Sequence, residues 1–472
     1  MDRDLRRCLL LPGIVLLAGL GLVRAAPAAG VRAASYEIEV RCFPDESRLE
    51  GQARIRLAPA GRVAGTVRFW LHGELRATAV RAGRAELEFS QQRDYYEWDY
   101  SLIGNRVEVS LPKGAVPELL EVTWGGPLNP SKARSPSDYM RIDADGVFLR
   151  ALGYSPWFPL FLDEDGDDHA VDFDLVRIEA PQELTAVFAG DHLRSTTDGK
   201  LTRSEWRARG LSLFDAQLTV RRFTILREGA IRVYPLRDEA SVESAESILG
   251  FTRALLAYYT EHYAEDAVVG QLHVVEMPEF GDISSRNVVG IQQSSWRSFE
   301  RSDGSKRTLA HELVHPFVQP DVARSDPLYA LVIEGFPSYF HYPALAAIGA
   351  LDYDRRISEV RQSYLTKRRT GRDLHGRPLP TEKPITRITA DEIGLYKDVF
   401  VLADRALLFL DDLRREMGEE RFHAFTRELF ALESVDDRAF RALVLGHLPD
   451  QRARLTLWLD TTELSEPESV GH

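Results

Sequence analysis

One short segment of this 472-residue chain places residues that bind metals beside a residue that can move protons. His311, Glu312 and His315 form the pattern His-Glu-x-x-His inside a run whose apolar residues have helical spacing. Residues four apart lie on one face of a helix, so both imidazoles can point at the same ion. Catalytic zinc usually takes three protein ligands and keeps one position for water. The pattern therefore predicts His311 and His315 as zinc ligands and Glu312 as the base that takes a proton from that water.

A candidate for the third ligand lies on the next predicted helix. Eighteen residues separate His315 from Glu334, which stands in the segment Val332-Ile-Glu-Gly-Phe336. The His-Glu-x-x-His pattern alone arises by chance in roughly 2–3% of chains of this length, and two ordinary helix histidines are then the alternative. A glutamate at a spacing suited to a zinc ligand weakens that alternative. We therefore expect one Zn²⁺ held by His311, His315 and Glu334.

These residues carry a resemblance to a known family. The motif, the spacing and the Gly335-Phe336 pair resemble the zinc signature of gluzincin aminopeptidases of the alanyl-aminopeptidase type. Tyr36-Glu-Ile-Glu-Val40 and Trp157-Phe-Pro159 are similar to parts of the family's N-terminal β domain. The resemblance implies a multidomain protein, with an all-β domain followed by a thermolysin-like, mostly α-helical catalytic domain. It also implies a zinc metallopeptidase, a hydrolase that acts on peptide or protein substrates.

The same resemblance implies a second catalytic residue. Tyr396 opens an apolar helix 62 residues after Glu334, where the family carries the tyrosine that binds the oxyanion of the tetrahedral intermediate. Lys-Asp-Val follows Tyr396 where the family usually has a glycine nearby. A tyrosine packed at the start of a helix is the alternative.

The chain departs from the family at the residue that holds the substrate's free α-amino group. The family has a Gly-Ala-Met-Glu-Asn strand before the zinc motif, and its glutamate binds that group. The corresponding segment here is Ser284–Ile291, and it has Arg286 in place of the glutamate. A cation repels an ammonium group, so endopeptidase activity stays open beside aminopeptidase activity. Glu276 or Glu279 could substitute, although a solvated carboxylate at a strand end is the favoured interpretation of both.

Two prolines mark a further departure. Pro316 directly follows His315, and Pro337 follows Glu334 by three residues. Proline lacks a backbone donor and clashes with the preceding turn, so the metal helix is predicted to bend or stop at His315. Together with the missing glutamate, the prolines keep open a second class of function, a zinc-stabilised binding protein with little turnover.

The elements that must position these residues fall into two halves. Short alternating runs between 36 and 230 predict strands, among them 36–40, 66–70, 106–110, 171–175 and 216–220. Beyond them, helical spacing predominates around one strand at 271–277. The predicted helices are 240–263, 307–315, 328–340, 353–370, 391–417, 419–432 and 437–447. We predict a β domain at 36–230, a catalytic domain at 231–460 and a loose tail at 461–472.

The first residues indicate export. Arg3, Arg6 and Arg7 precede the apolar stretch Leu9–Val23 and a zone of small residues, which is the pattern of a signal peptide over residues 1–25. We expect a secreted or periplasmic protein, and contact with a membrane only if this segment stays uncleaved.

Composition excludes other classes. With 59 basic and 72 acidic residues the net charge is −13, which lacks the basic surface of a nucleic-acid-binding protein. After cleavage Cys42 is the single cysteine, so no intrachain disulfide can form. Asp163–Asp168 is interpreted as a solvated turn rather than a calcium loop. His273 and His341 have no metal-ligand spacing and are interpreted as structural.

Overall fold

The computed structural model describes residues 31–59, 65–95, 103–111, 116–128, 140–149, 156–162, 169–263, 270–277, 283–317, 320–373, 375–396 and 401–463. The signal segment and the Asp163–Asp168 turn lie outside these ranges, so both stay predictions. Within the ranges, no helix combines the length and apolar character needed to cross a bilayer.

In the residues that the structure describes, the N-terminal part forms three sheets. The largest has eight strands in the order β13-β14-β11-β1-β2-β8-β4-β5, in which only the β1–β11 pair is parallel. Its strands are β1 (Val31–Phe43), β2 (Arg48–Pro59), β4 (Arg76–Ala82), β5 (Ala85–Glu86), β8 (Leu119–Pro127), β11 (Ala170–Pro181), β13 (Asp191–Asp198) and β14 (Leu201–Ser212). A three-stranded sheet contains β3 (Thr66–His72), β7 (Ile103–Ser110) and β6 (Phe89–Tyr95), in that order. A four-stranded sheet contains β12 (Thr185–Phe188), β15 (Leu218–Arg221), β10 (Gly146–Leu149) and β9 (Met140–Asp143).

Alternation along the strands explains this arrangement. In β1 the apolar residues Tyr36, Ile38 and Val40 are buried, while the glutamates between them are exposed. Buried tryptophans then join the sheets through their indole donors. Trp124 donates to the Trp157 carbonyl at 2.9 Å, and Trp157 donates to the Ala216 carbonyl at 2.8 Å. Each buried N–H thus has a partner, as burial requires.

The C-terminal part begins with a five-stranded sheet and continues with helices. The sheet contains β16 (Leu226–Glu228), β17 (Ile231–Tyr234), β18 (Leu272–Met277), β20 (Val288–Gln292) and β19 (Ile283–Ser284), in that order. The helices are α1 (Glu239–His262), α2 (Gln293–Arg297), α3 (Asp303–Val314), α4 (Phe336–Ala347), α5 (Tyr353–Thr370), α6 (Ile393–Tyr396), α7 (Ala406–Met417), α8 (Glu419–Phe430), α9 (Asp437–His447) and α10 (Arg452–Asp460). Two π-helical segments, Leu331–Gly335 and Val401–Arg405, precede α4 and α7.

This architecture confirms the predicted order of a β half followed by a mostly helical half. The helices predicted at 353–370 and 437–447 have the observed bounds. Of the helix predicted at 391–417, the described residues show α6 up to Tyr396 and, from Val401, a π-helical segment that continues into α7, while residues 397–400 lie outside the described ranges. The sheet of the helical half starts at Leu226, just before the predicted boundary at 230. The domain bounds themselves stay a prediction.

The five-stranded sheet is shared by both hydrophobic cores. On one face, Tyr234, Val275 and Val288 pack into the core of the β half. On the other face, Val274 and Val289 pack against the helices. Strands β17, β18 and β20 are parallel and covered on both sides, and they are accordingly mostly apolar, with Arg232, His273 and Glu276 among the exceptions. The sheet therefore fixes the helices that follow it relative to the β half.

A buried histidine joins the two halves. The Nε2–H of His273 on β18 donates to the carbonyl of Gly190 at 3.0 Å, and the Tyr234 hydroxyl donates to its Nδ1 at 3.0 Å. With the ring neutral, both contacts are satisfied. Burial, reinforced by the charge of Arg232, lowers the pKa of His273 to about 3.

Stability should fall in acid because of this residue. Below about pH 6.5 the unfolded chain binds a proton that the folded ring binds only near pH 3, so unfolding is favoured as the pH falls. Replacing His273 with Gln keeps a donor and an acceptor but removes the titration. Urea unfolding should show that H273Q loses about 2 kcal/mol less than the parent between about pH 6.5 and 5. Equal losses in both proteins would refute this role of His273.

Candidate metal centre

The helix that carries both histidines begins and ends where its sequence requires. Ser302 precedes α3 and accepts a hydrogen bond from the backbone N–H of Ser305 at 3.1 Å, which satisfies one donor of the first turn. The helix ends at Val314, and a short 3₁₀ turn, His315–Phe317, follows it. Pro316 lacks the N–H that would continue the helix. The predicted stop at His315 is confirmed.

The helix buries one side and leaves the other partly open. Leu309, Ala310, Leu313 and Val314 are buried in the core. By contrast, His311, Glu312 and His315 are half-buried. Glu312 therefore shares the partly open side of α3 with both predicted ligands.

Glu334 reaches the same place from a π-helix. The segment Leu331–Gly335 has the wide π turn, a feature often found at functional sites, and α4 starts directly after it at Phe336. Pro337 is the second residue of α4 and lies where the π turn passes into the α-helix. A Cβ at Gly335 would stand 2.7 Å from Leu331 Cδ1 and 3.1 Å from Ala406 Cβ. A glycine after Glu334 thus permits the close approach of α7.

The three predicted ligands converge. One potential ligand atom from each of His311, His315 and Glu334 lies within 4.8 Å of the other two. Nε2 of His311 is 3.5 Å from Oε2 of Glu334, and the two imidazole centres are 5.1 Å apart. Tetrahedral zinc with bonds of about 2.05 Å needs ligand atoms about 3.3 Å apart. The donor set and its spacing fit a zinc ion.

Tyr396 makes a different contact. Its ring is buried, and its hydroxyl donates to the carbonyl of Thr381 at 2.8 Å. Burial also raises the pKa of the Tyr396 hydroxyl, so it stays protonated at neutral pH. Among the described residues, this hydroxyl forms no hydrogen bond with His311, His315 or Glu334. Its catalytic role stays a prediction.

The segment that corresponds to the family's amino-binding strand holds no free carboxylate among the described residues. Arg286 donates to the carbonyls of Arg209 and Gly210, the latter at 2.8 Å, and so binds β14 of the β half. Glu276 is fully buried, and the backbone N–H of Leu236 and the hydroxyl of Ser241 donate to it, each at 2.8 Å. The interpretation of Glu276 as a solvated strand end is therefore wrong. Glu279 lies outside the described residues.

A residue interpreted from the sequence as structural lies beside the centre. His341 on α4 is buried, and its ring centre is 5.7 Å from that of His311. Burial lowers the pKa of His341 well below its ordinary value, and charge on His311 adds to this effect. The sequence spacing could have predicted this position. His341 follows Glu334 by seven residues, which is two helical turns along the same side.

Comparisons with known proteins concern the fold that carries these residues. The chain has the fold of an M1 zinc metallopeptidase from Deinococcus radiodurans, with a TM-score of 0.68 over 93% of this chain and 96% of that one, at 16% identity. A variant of that enzyme is bound to a Tyr-Ser-Ala substrate and matches with a TM-score of 0.67, at the same identity and coverage. Native yeast LTA4 hydrolase matches with a TM-score of 0.66 at 13% identity, over 93% of this chain and 69% of that one. No protein-family model and no curated protein sequence matches the chain.

The matches confirm the fold that the resemblance implied. Nearly the whole chain has the architecture of the two-domain M1 zinc metallopeptidases, an N-terminal β part followed by a mostly helical part. At these identities the likeness concerns the fold. Together with the His311, His315 and Glu334 group it suggests a zinc peptidase.

Zinc should stabilise the folded protein through these ligands. A ligand at 100 times its Kd that binds only the folded state adds about 2.7 kcal/mol to the free energy of unfolding. Chelator should remove this gain from the parent, and E334Q should show almost none of it. The exposed Glu359 on α5 provides the matched control, since E359Q should respond to zinc as the parent does. A gain of the same size in E334Q would exclude Glu334 as a ligand.

Proposed function

We propose that this protein is an exported zinc-dependent metallopeptidase that hydrolyses peptide bonds. It is aminopeptidase-like, but Arg286 stands where the family has the glutamate that binds the substrate's α-amino group. The observation that carries the proposal is the approach of two imidazoles and one carboxylate to within 4.8 Å of one another, on a fold shared with zinc metallopeptidases. The Tyr-Ser-Ala substrate bound to the Deinococcus radiodurans variant supports peptides as the substrate class.

Each residue has a distinct task in this mechanism. His311, His315 and Glu334 would hold the metal. When bound, zinc polarises a carbonyl oxygen and lowers the pKa of a ligating water. Glu312 shares the partly open side of α3 with the two histidines, so its carboxylate can take the proton from the attacking water. Glu312 then passes that proton to the amine of the departing peptide.

Tyr396 is the proposed donor to the oxyanion. In the described structure its hydroxyl donates to Thr381, so it has to leave this carbonyl before it can donate to substrate. A protonated phenol suits this task, since only the O–H form can stabilise negative charge on oxygen.

The substrate's amino terminus should matter little. Arg286 is bound to β14 and carries a positive charge, and Glu276 is buried with its own donors. Neither side chain offers a carboxylate to an ammonium group. The proposed enzyme therefore accepts peptides whose amino end is blocked, as an endopeptidase does.

Export rests on residues 1–25 alone. Their basic start, apolar stretch and small residues support a secreted or periplasmic location. Mass spectrometry of the mature N-terminus in the expressing cells would test this point, since an intact Met1 would refute cleavage.

The role of Glu312 is tested by E312Q. This variant should keep its zinc, because Glu312 is not a ligand, and should lose activity on a peptide library by roughly 100- to 10,000-fold. E359Q again serves as the control with parental activity. Equal rates in E312Q and the parent would refute the mechanism. A zinc-loaded parent without any chelator-sensitive product would instead favour the zinc-stabilised binding protein.

Blocked and free peptides test the missing amino-group contact. A hydrogen bond to a charged group contributes about 1.5–3 kcal/mol, which corresponds to roughly 10- to 100-fold in kcat/KM. We expect N-acetylation of the same peptide to change kcat/KM by less than about tenfold, and new N-termini to arise inside peptides. A loss of more than about 100-fold on acetylation would show that a carboxylate binds the amino group after all.

A further inference from the structure

Two buried tyrosines at the C-terminal end of α1 reach both helices of the metal centre. Tyr259 and Tyr263 lie one helical turn apart, and their rings stack with centres 5.5 Å apart and planes inclined by 19°. The Tyr259 hydroxyl donates to the carbonyl of Ala310 on α3 at 2.9 Å. The Tyr263 hydroxyl donates to the carbonyl of Phe340 on α4 at 2.7 Å. One end of α1 therefore binds the backbone of both α3 and α4.

The contacts of Tyr259 lie on either side of the segment that carries the two histidines. Ala310, whose carbonyl accepts from Tyr259, directly precedes His311. The ring of Tyr259 also packs edge-on against Phe317, with ring centres 5.2 Å apart, and Phe317 follows His315 by two residues. Tyr259 thus fixes α3 immediately before the first predicted ligand and the chain just after the second.

Tyr263 holds the helix that follows the third ligand. Its ring packs against the ring of Phe340, with centres 5.0 Å apart, so one residue of α4 receives both the packing contact and the hydrogen bond. Glu334 stands in the π turn that passes directly into α4, six residues before Phe340. Because the two segments are continuous, fixing α4 at Phe340 also restricts where the Glu334 carboxylate can lie.

Prolines give these outside contacts a physical reason. Pro316 lacks the N–H that would donate to the carbonyl of Glu312 if α3 continued. Pro343, inside α4, likewise lacks the N–H that would donate to the carbonyl of Tyr339. Each helix therefore lacks one internal hydrogen bond close to the carbonyl that a tyrosine binds. A carbonyl oxygen has two lone pairs, so it can accept from a tyrosine as well as from its own helix.

We propose that Tyr259 and Tyr263 are positioning residues, whose hydroxyls fix α3 and α4 relative to one another and so hold the three metal ligands together before the ion binds. The inference rests on His311, His315 and Glu334 as ligands, as in the proposed function, but it concerns metal affinity rather than turnover. Ligands that are already in place lose less conformational freedom when the ion binds, so the affinity is higher.

The test removes one hydroxyl at a time from the full-length protein. Zinc Kd, measured by competition with a chromogenic chelator, should rise about 3- to 10-fold in each of Y259F and Y263F, as expected for one lost hydrogen bond. The double variant should bind zinc more weakly than either single variant. The matched control is Y36F, because the hydroxyl of Tyr36 is also buried and donates to a backbone carbonyl, that of Pro159 at 3.0 Å in the β half. Y36F should keep the parental zinc Kd.

Urea unfolding with and without zinc separates positioning from general stability. If the tyrosines position the ligands, Y259F and Y263F lose more unfolding free energy in the zinc-loaded protein than in the zinc-free protein. A merely structural role predicts equal losses in both states, as we expect for Y36F. If the double variant does not fold, the two single variants decide the question.

The outcomes distinguish this inference from the proposed function. Zinc Kd values within about twofold of the parent in both single variants, or an equal rise in Y36F, would overturn the role of the tyrosines and leave a zinc peptidase standing if the parent cleaves peptides. The expected pattern in a parent that binds zinc but cleaves no peptide would refute the peptidase and support the tyrosines. A parent that binds no zinc would refute both.

Discussion

The helical half must bring the carboxylate of Glu334 to the imidazoles of His311 and His315, which lie on another helix. The other helices are arranged around this constraint. The histidines need only one turn of α3, which local sequence can provide. Glu334 comes from a different segment, and its oxygen lies 3.5 Å from Nε2 of His311 although withdrawing polar groups from water is costly. The π turn at Leu331–Gly335 and the close approach of α7 at Gly335 hold it there. A shift of either helix by one residue would turn the carboxylate away and leave the imidazoles without a third partner.

The five-stranded sheet connects the helices of the metal centre to the β half. It is buried on both faces, so it belongs to the core of the β half and to the core of the helices at once. His273 on β18 and Arg286 before β20 each bind backbone carbonyls of the β half. Arg286 is thus part of the contact between the two halves.

Local sequence patterns were enough to predict part of the fold and of the metal centre. The convergence of the two histidines and the stop at Pro316 follow from helical geometry and proline chemistry, Glu334 follows from the spacing that resembles the family's zinc signature, and the structure agrees with each. The π-helix could not be predicted, because its apolar spacing is close to that of an α-helix. The burial of Glu276 depends on donors from Leu236 and Ser241, which are distant in sequence. The contact of Tyr396 depends on the path of a loop through Thr381, which no periodic pattern encodes.

Anomalous diffraction from crystals of the zinc-loaded protein, measured on both sides of the zinc absorption edge, would decide whether these side chains form a metal centre. One strong peak should appear within bonding distance of Nε2 of His311, a nitrogen of His315 and an oxygen of Glu334, with His341 not bonded to the ion. A peak bonded to other residues, or none in crystals grown with excess zinc, would show that the three side chains do not hold zinc.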